Sequence, residues 1–259
     1  WFSRVGEGSL GGKARGLAFL NSMVYKHGLA NKYDNVRISI PRTIVIATDF
    51  FDRFILENDL QYVIDSEISD EEILSEFVAA RLPEELMDQL RVFVETARSP
   101  LAVRSSSKLE DSSYQPFAGV YSTYMIPHAH TEDEALALIQ KAIKGVYASV
   151  FYKDSKAYLT ATQNLIDQEK MAIVIQEVVG SQHGEWIDDS GHQHASCFYP
   201  ILSGVARSLN FYPIGNERAE DGIASLALGL GKYIVDGGVT LRVSPKHPNH
   251  VLQMSETEM

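Results

Sequence analysis

Apolar and polar positions along the chain switch repeatedly between helical and strand-like spacing. After a glycine-rich opening, Leu17, Leu20, Met23 and Val24 fall on one face of a predicted helix that Gly28 closes. A strand-like run at Arg37–Ile40 follows, then Pro41 and the β-branched segment Thr43–Ile46. Thr48 is placed to cap a helix that buries Phe51, Phe54 and Ile55. Ser69 and Glu72 have capping-box spacing, because each side chain can satisfy the other's free backbone donor. Pro83 suits the first turn of a helix with Leu86, Leu90, Phe93 and Val94 inward. A short buried strand is predicted at Leu101–Arg104, and Thr131 with Glu134 opens a long helix through Leu138, Ile139, Ile143 and Val146. The most strand-like run is 171–179, with another at 195–201. The order is α+β, without the regular alternation of a doubly wound sheet.

Composition narrows the function classes. With 259 residues and 45% hydrophobic content, the chain can bury a core as one large domain or two lobes. The formal net charge of -11 argues against a nucleic-acid backbone partner. There is no apolar run long enough for a membrane span and no secretory signal. The lone Cys197 cannot form a disulfide within the chain, which fits a cytoplasmic setting. The start at Trp1 and the polar end read as cuts in a longer chain.

Two segments carry candidate chemistry. The first is Gly6-Glu-Gly-Ser-Leu-Gly-Gly-Lys13-Ala-Arg-Gly16, just before a predicted helix. Glycines let backbone N–H groups approach phosphate oxygens, a helix N-terminus adds positive potential, and lysine supplies a mobile charge. Glu7 and Ala14 exclude a Walker A loop, and no βαβ unit accompanies the match to the dinucleotide fingerprint. The competing reading is a loop and helix cap with a solvated lysine. The second segment runs Val103-Arg104-Ser105-Ser-Ser-Lys-Leu-Glu110-Asp111, then Phe117-Ala-Gly119 and Thr123-Tyr124. An arginine leaving a buried strand has a rigid base from which to fork onto phosphate. Pairing of Arg104 with Glu110 or Asp111 is the alternative.

In order and spacing, these segments resemble the N-terminal ATP-grasp domain of phosphoenolpyruvate synthases and pyruvate phosphate dikinases. That family runs roughly GGKG, VRSSA-x-x-ED, then S-FAG-x-x-x-TY. The resemblance extends through 171–179 and Leu228-Gly-Leu-Gly231, covering roughly residues 8–245. It implies a two-lobed fold cut short at its C-terminus, with lobes of about 1–170 and 171–259. It also implies that Lys13 and Arg104 neutralise the triphosphate of ATP. Gly12, Ser105, Gly119 and Thr123 would lie at the phosphates, and Gln176, Glu177 and Val178 at the adenine edge through backbone bonds and apolar packing. Phosphoryl would pass to a histidine on a separate domain, and on to pyruvate bound by another, with Mg2+ ligands outside this segment.

Departures from the pattern leave alternatives open. Ala14 replaces a glycine, Lys232 stands where GLGE has its acid, and neither the acidic metal-binding strand nor Gln-x-Arg-Pro appears before Met259. A nucleotide-binding regulatory module, or a dikinase domain acting on rifampicin or glucan, fits the same residues. His183, His192, His194 and Cys197 carry zinc-binding side chains but have no strong zinc spacing, so solvated loop histidines are expected.

Overall fold

The computed structural model describes residues 1–64, 66–97, 99–108, 119–129, 131–161, 169–187, 191–194, 197–235, 240–249 and 251–254. It divides into two compact units, Trp1–Val178 and Val179–Met259.

The first unit is built on a five-stranded sheet. Its strands are β1 (Phe2–Val5), β2 (Thr43–Ile46), β3 (Leu101–Ser106), β4 (Thr123–Ile126) and β5 (Ala172–Glu177), in the order β1-β2-β5-β3-β4. Only β1 and β2 run parallel; the other neighbours are antiparallel. Its helices are α1 (Gly11–Lys26), α2 (Thr48–Glu57), α3 (Asp70–Ala79), α4 (Glu84–Thr96), α5 (Glu132–Ser149) and α6 (Lys153–Ala161). The run at 171–179, expected to open the second lobe, is the central strand of this sheet, because it pairs with both β2 and β3.

The two faces of the sheet are covered unequally. Ile44, Ile46, Leu101, Val103, Ile173 and Ile175 point into the main core with α2 to α5. There Tyr147 of α5 meets Phe51 of α2 edge-on, with ring centroids 5.0 Å apart. The opposite face is covered by α1 over a small cluster, Ala14 against Val45 and Val174, flanked by Phe2, Leu10 and Leu17. β2 and β5 are therefore apolar on both sides, whereas β3 alternates, with Leu101 and Val103 inward and exposed Arg104 on the other face.

Local signals explain three of the helix starts. Ser69 and Glu72 form the expected capping box, Thr131 accepts from the Glu134 N–H, and Pro83 immediately precedes α4. Two expectations differ. Arg37–Ile40 is not a strand. Thr48 does not cap its own helix, because its Oγ1 accepts the N–H of Ser9 instead.

The second unit begins with two short antiparallel pairs. One joins β6 (Ser181–His183) to β9 (Cys197–Tyr199), the other β7 (Trp186–Ile187) to β8 (Gln193–His194). A four-stranded antiparallel sheet follows: β10 (Leu202–Arg207), β11 (Ile223–Leu228), β12 (Leu241–Val243) and β13 (Val251–Met254). The short α7 (Lys232–Val235) lies between β11 and β12 in the chain. Arg242 of β12 forks onto buried Glu217, with Nη1 to Oε1 at 3.1 Å and Nη2 to Oε2 at 2.7 Å. Asn210 and the Ile214 N–H complete the carboxylate's shell.

Candidate functional site

The glycine-rich segment folds differently from a phosphate cradle. The N–H groups of Glu7 and Gly8 donate to the two oxygens of Asp49, at 3.1 and 3.0 Å. Ser9 N–H donates to Thr48, and Gly11 N–H to Ser9 Oγ. The start of α1 is held by the end of β3. Gly12 N–H donates to the Ser107 carbonyl at 2.9 Å, and Ala14 N–H to Ser106 Oγ at 3.1 Å. Ser106 Oγ in turn donates to the Leu10 carbonyl at 2.8 Å. These donors, which the sequence offered for phosphate, are therefore satisfied within the protein.

Glycine is required here for closeness. Gly11 has φ +70°, and a Cβ on it would lie 1.8 Å from the Ser106 carbonyl oxygen. Clasping places Lys13 over β3, where its Nζ donates to Ser105 Oγ at 3.2 Å. Ser105, Ser106 and Ser107 are all buried, so the lysine's anchor is rigid.

Strand register gathers the other candidates. Arg104 lies opposite Thr123 on β4 and Val174 on β5. Ala102 lies opposite Met125 and Gln176, and Gln176 opposite Thr43. Cross-strand partners share a face, so Arg104, Thr123, Ala102, Met125 and Gln176 all belong to the face that α1 covers only in part. Arg104, Thr123 and Met125 are exposed. Tyr124 turns the other way and seats against α5, where a Cβ on Gly145 would come within 2.4 Å of its hydroxyl. The Thr-Tyr pair thus anchors β4 with one side chain and presents the other to the open face. Gly119, at φ +83° and exposed, precedes this strand.

At the far end of β5, Glu177 N–H donates to the Arg42 carbonyl and Val178 N–H to that of Pro100. These two backbone donors, expected at an adenine edge, are occupied by sheet-like bonds. Gln176 keeps its side chain on the open face, with Nε2 donating to Thr43 Oγ1 at 2.9 Å.

Residues 7–255 match the family described as pyruvate phosphate dikinase, AMP/ATP-binding domain. The chain belongs to this family. It is 30% identical over 239 residues to a Bacillus subtilis (strain 168) protein named uncharacterized phosphotransferase YvkC, covering 92% of this chain and 24% of that protein. It is 26% identical over 266 residues to a phosphoenolpyruvate synthase of Aeropyrum pernix, covering 93% and 27%. The chain spans about a quarter of the length of these relatives. The family description makes it an AMP/ATP-binding domain.

Among the described residues, this member of the family offers no group of three or more His, Cys, Asp or Glu able to hold a metal. The open face carries cations and hydroxyls, which suit phosphate oxygens and do not fit Mg2+. His183 stacks on Tyr199 with 3.8 Å between ring centroids. Glu110, Asp111, Phe117, Ala118 and His130 lie outside the described residues. Asp49, Ser106 and Thr43 were not singled out from sequence. Their roles depend on register between distant segments, which no local spacing signals.

Proposed function

We propose that this chain binds ATP on the open face of its five-stranded sheet, with Arg104 and Lys13 meeting the phosphates and Gln176 the base. In a longer parent chain the domain passes a phosphoryl group to a histidine on a separate domain, which serves a pyruvate- or phosphoenolpyruvate-binding domain. The reading adopts the two-lobed ATP-grasp arrangement and a cytoplasmic setting. One observation carries it: a helix cation, Lys13 held on Ser105, and a strand cation, Arg104 opposite exposed Thr123, lie at the same end of β3. Such groups supply what phosphoryl transfer needs from a protein, charge compensation in a fixed geometry. No step is assigned to Mg2+, since the described donors do not fit it.

Titration calorimetry with ATP and Mg2+ tests the binding half. Saturable heat that falls in Arg104→Ala supports it; no heat, with no thermal shift, overturns it. The transfer half is tested in the full parent chain by AMP release and a phosphohistidine. A second reading, a regulatory domain that binds ATP without transfer, is favoured by Lys232, which stands where the family's GLGE run has its acid. Tight ATP binding with no AMP formed by the parent would establish it.

A further inference from the structure

Gln176 sits in a hydrogen-bond chain whose polarity is fixed from one end. The Pro41 carbonyl can only accept, and Thr43 Oγ1 donates its single hydrogen to it at 2.8 Å. The same oxygen must then accept from its other neighbour, which is Gln176 Nε2 at 2.9 Å. Rotating the amide by 180° would set its oxygen against a hydroxyl oxygen whose proton is already committed. Thr43 is fully buried, so no solvent relieves that conflict. On the other side of Gln176 in the register is Ala102, whose methyl group offers no donor. The amide oxygen of Gln176 is thereby kept as an acceptor on the half-buried open face.

We infer that the Pro41–Thr43–Gln176 chain selects the base of the nucleotide, taking adenine over hypoxanthine or guanine. The inference rests on the nucleotide-binding reading above. Adenine carries an exocyclic amine that can donate to Gln176 Oε1; hypoxanthine and guanine place a carbonyl there, lone pair against lone pair. The Glu177 and Val178 N–H groups, which could otherwise meet a base edge, are taken by the carbonyls of Arg42 and Pro100. Ala102 and Met125 continue the Gln176 row as two apolar positions. Arg104 is two residues along β3 from Ala102, about 7 Å away, which leaves room for the sugar between base and phosphates. Thr43 touches no ligand in this scheme. It is a positioning residue that acts through the orientation of one amide.

The test compares ATP with ITP, which differ at that position and share the triphosphate. Dissociation constants are measured by calorimetry for the chain and for Thr43→Val, Thr43→Ser and Gln176→Leu. The unaltered chain is expected to favour ATP by about tenfold or more. Thr43→Val, which keeps the shape and removes the hydroxyl, should bring the two nucleotides within about threefold. Thr43→Ser should restore the preference, a recovery that a purely structural role for the side chain would not give. Gln176→Leu, at a half-buried position that tolerates the change, should lose it as well. An unaltered ATP-to-ITP ratio in both Thr43→Val and Gln176→Leu overturns the inference while leaving nucleotide binding intact. Equal binding of ATP and ITP by the unaltered chain does the same. If that chain binds neither nucleotide, the nucleotide-binding reading itself falls.

Discussion

Replacing Gly11 by alanine tests the clasp between α1 and β3 directly. The new methyl would lie 1.8 Å from the Ser106 carbonyl oxygen, so the helix start has to move by more than 1 Å to reach an ordinary contact. A left-handed φ of +70° adds about 1–2 kcal/mol for a residue with a side chain. The displacement also weakens the bonds from Gly12 to Ser107 and from Ala14 to Ser106, about 1 kcal/mol each. The expected loss is about 3–4 kcal/mol in urea unfolding, together with weaker ATP binding because Lys13 moves with the helix. Gly16→Ala, on the same helix with nothing within 4 Å, is the control and should stabilise by up to about 1 kcal/mol. If Gly11→Ala is as stable as the parent and binds ATP equally, the clasp is not what holds Lys13.

Lys13→Ala and Arg104→Ala should each weaken ATP binding by about 1–3 kcal/mol in calorimetry, with little change in melting temperature for exposed Arg104. Tyr147→Phe should keep or raise stability, by up to about 1 kcal/mol in urea unfolding, because the buried hydroxyl has no hydrogen-bond partner among the described residues. In the second unit, the Arg242 hydrogen bond, followed by that from the Ile214 N–H, holds the Glu217 carboxyl below its usual range. Its contribution is therefore complete above the unfolded carboxylate value of about 4.3 and is lost as pH falls through the lower folded value. Glu217→Gln should cost about 3 kcal/mol at neutral pH and flatten the acid limb of a stability-against-pH curve.

What could be read from sequence was whatever local chemistry decides. Ser69 with Glu72 and Thr131 with Glu134 bond within one turn, so their spacing announces the helix starts. The apolar runs of β2 and β5 were legible because both faces are buried. Arg104 and Thr123 stood out by motif, and their pairing puts them opposite each other. Long-range contacts decided the rest. Leu20, placed on the apolar face of its helix, is 52% exposed, because α1 touches the sheet only along a narrow strip around Ala14. Thr48 and Asp49 read as an ordinary helix start, yet they occupy the amides of a loop about forty residues earlier. The glycines of that loop looked like phosphate ligands; Gly11 instead serves a close approach to Ser106 that only tertiary structure reveals.

The hydroxyl of Ser106 bonds two backbone groups of the first helix across a separation of some ninety residues. Lys13 and Arg104 therefore come together only when a long loop has closed and its entropy has been overcome. A chain with α1 formed but β3 unpaired has both cations and lacks the proposed site. On that proposal, affinity for ATP reports on the completed sheet, and saturating nucleotide should slow global unfolding of the first unit rather than merely quiet its glycine loop.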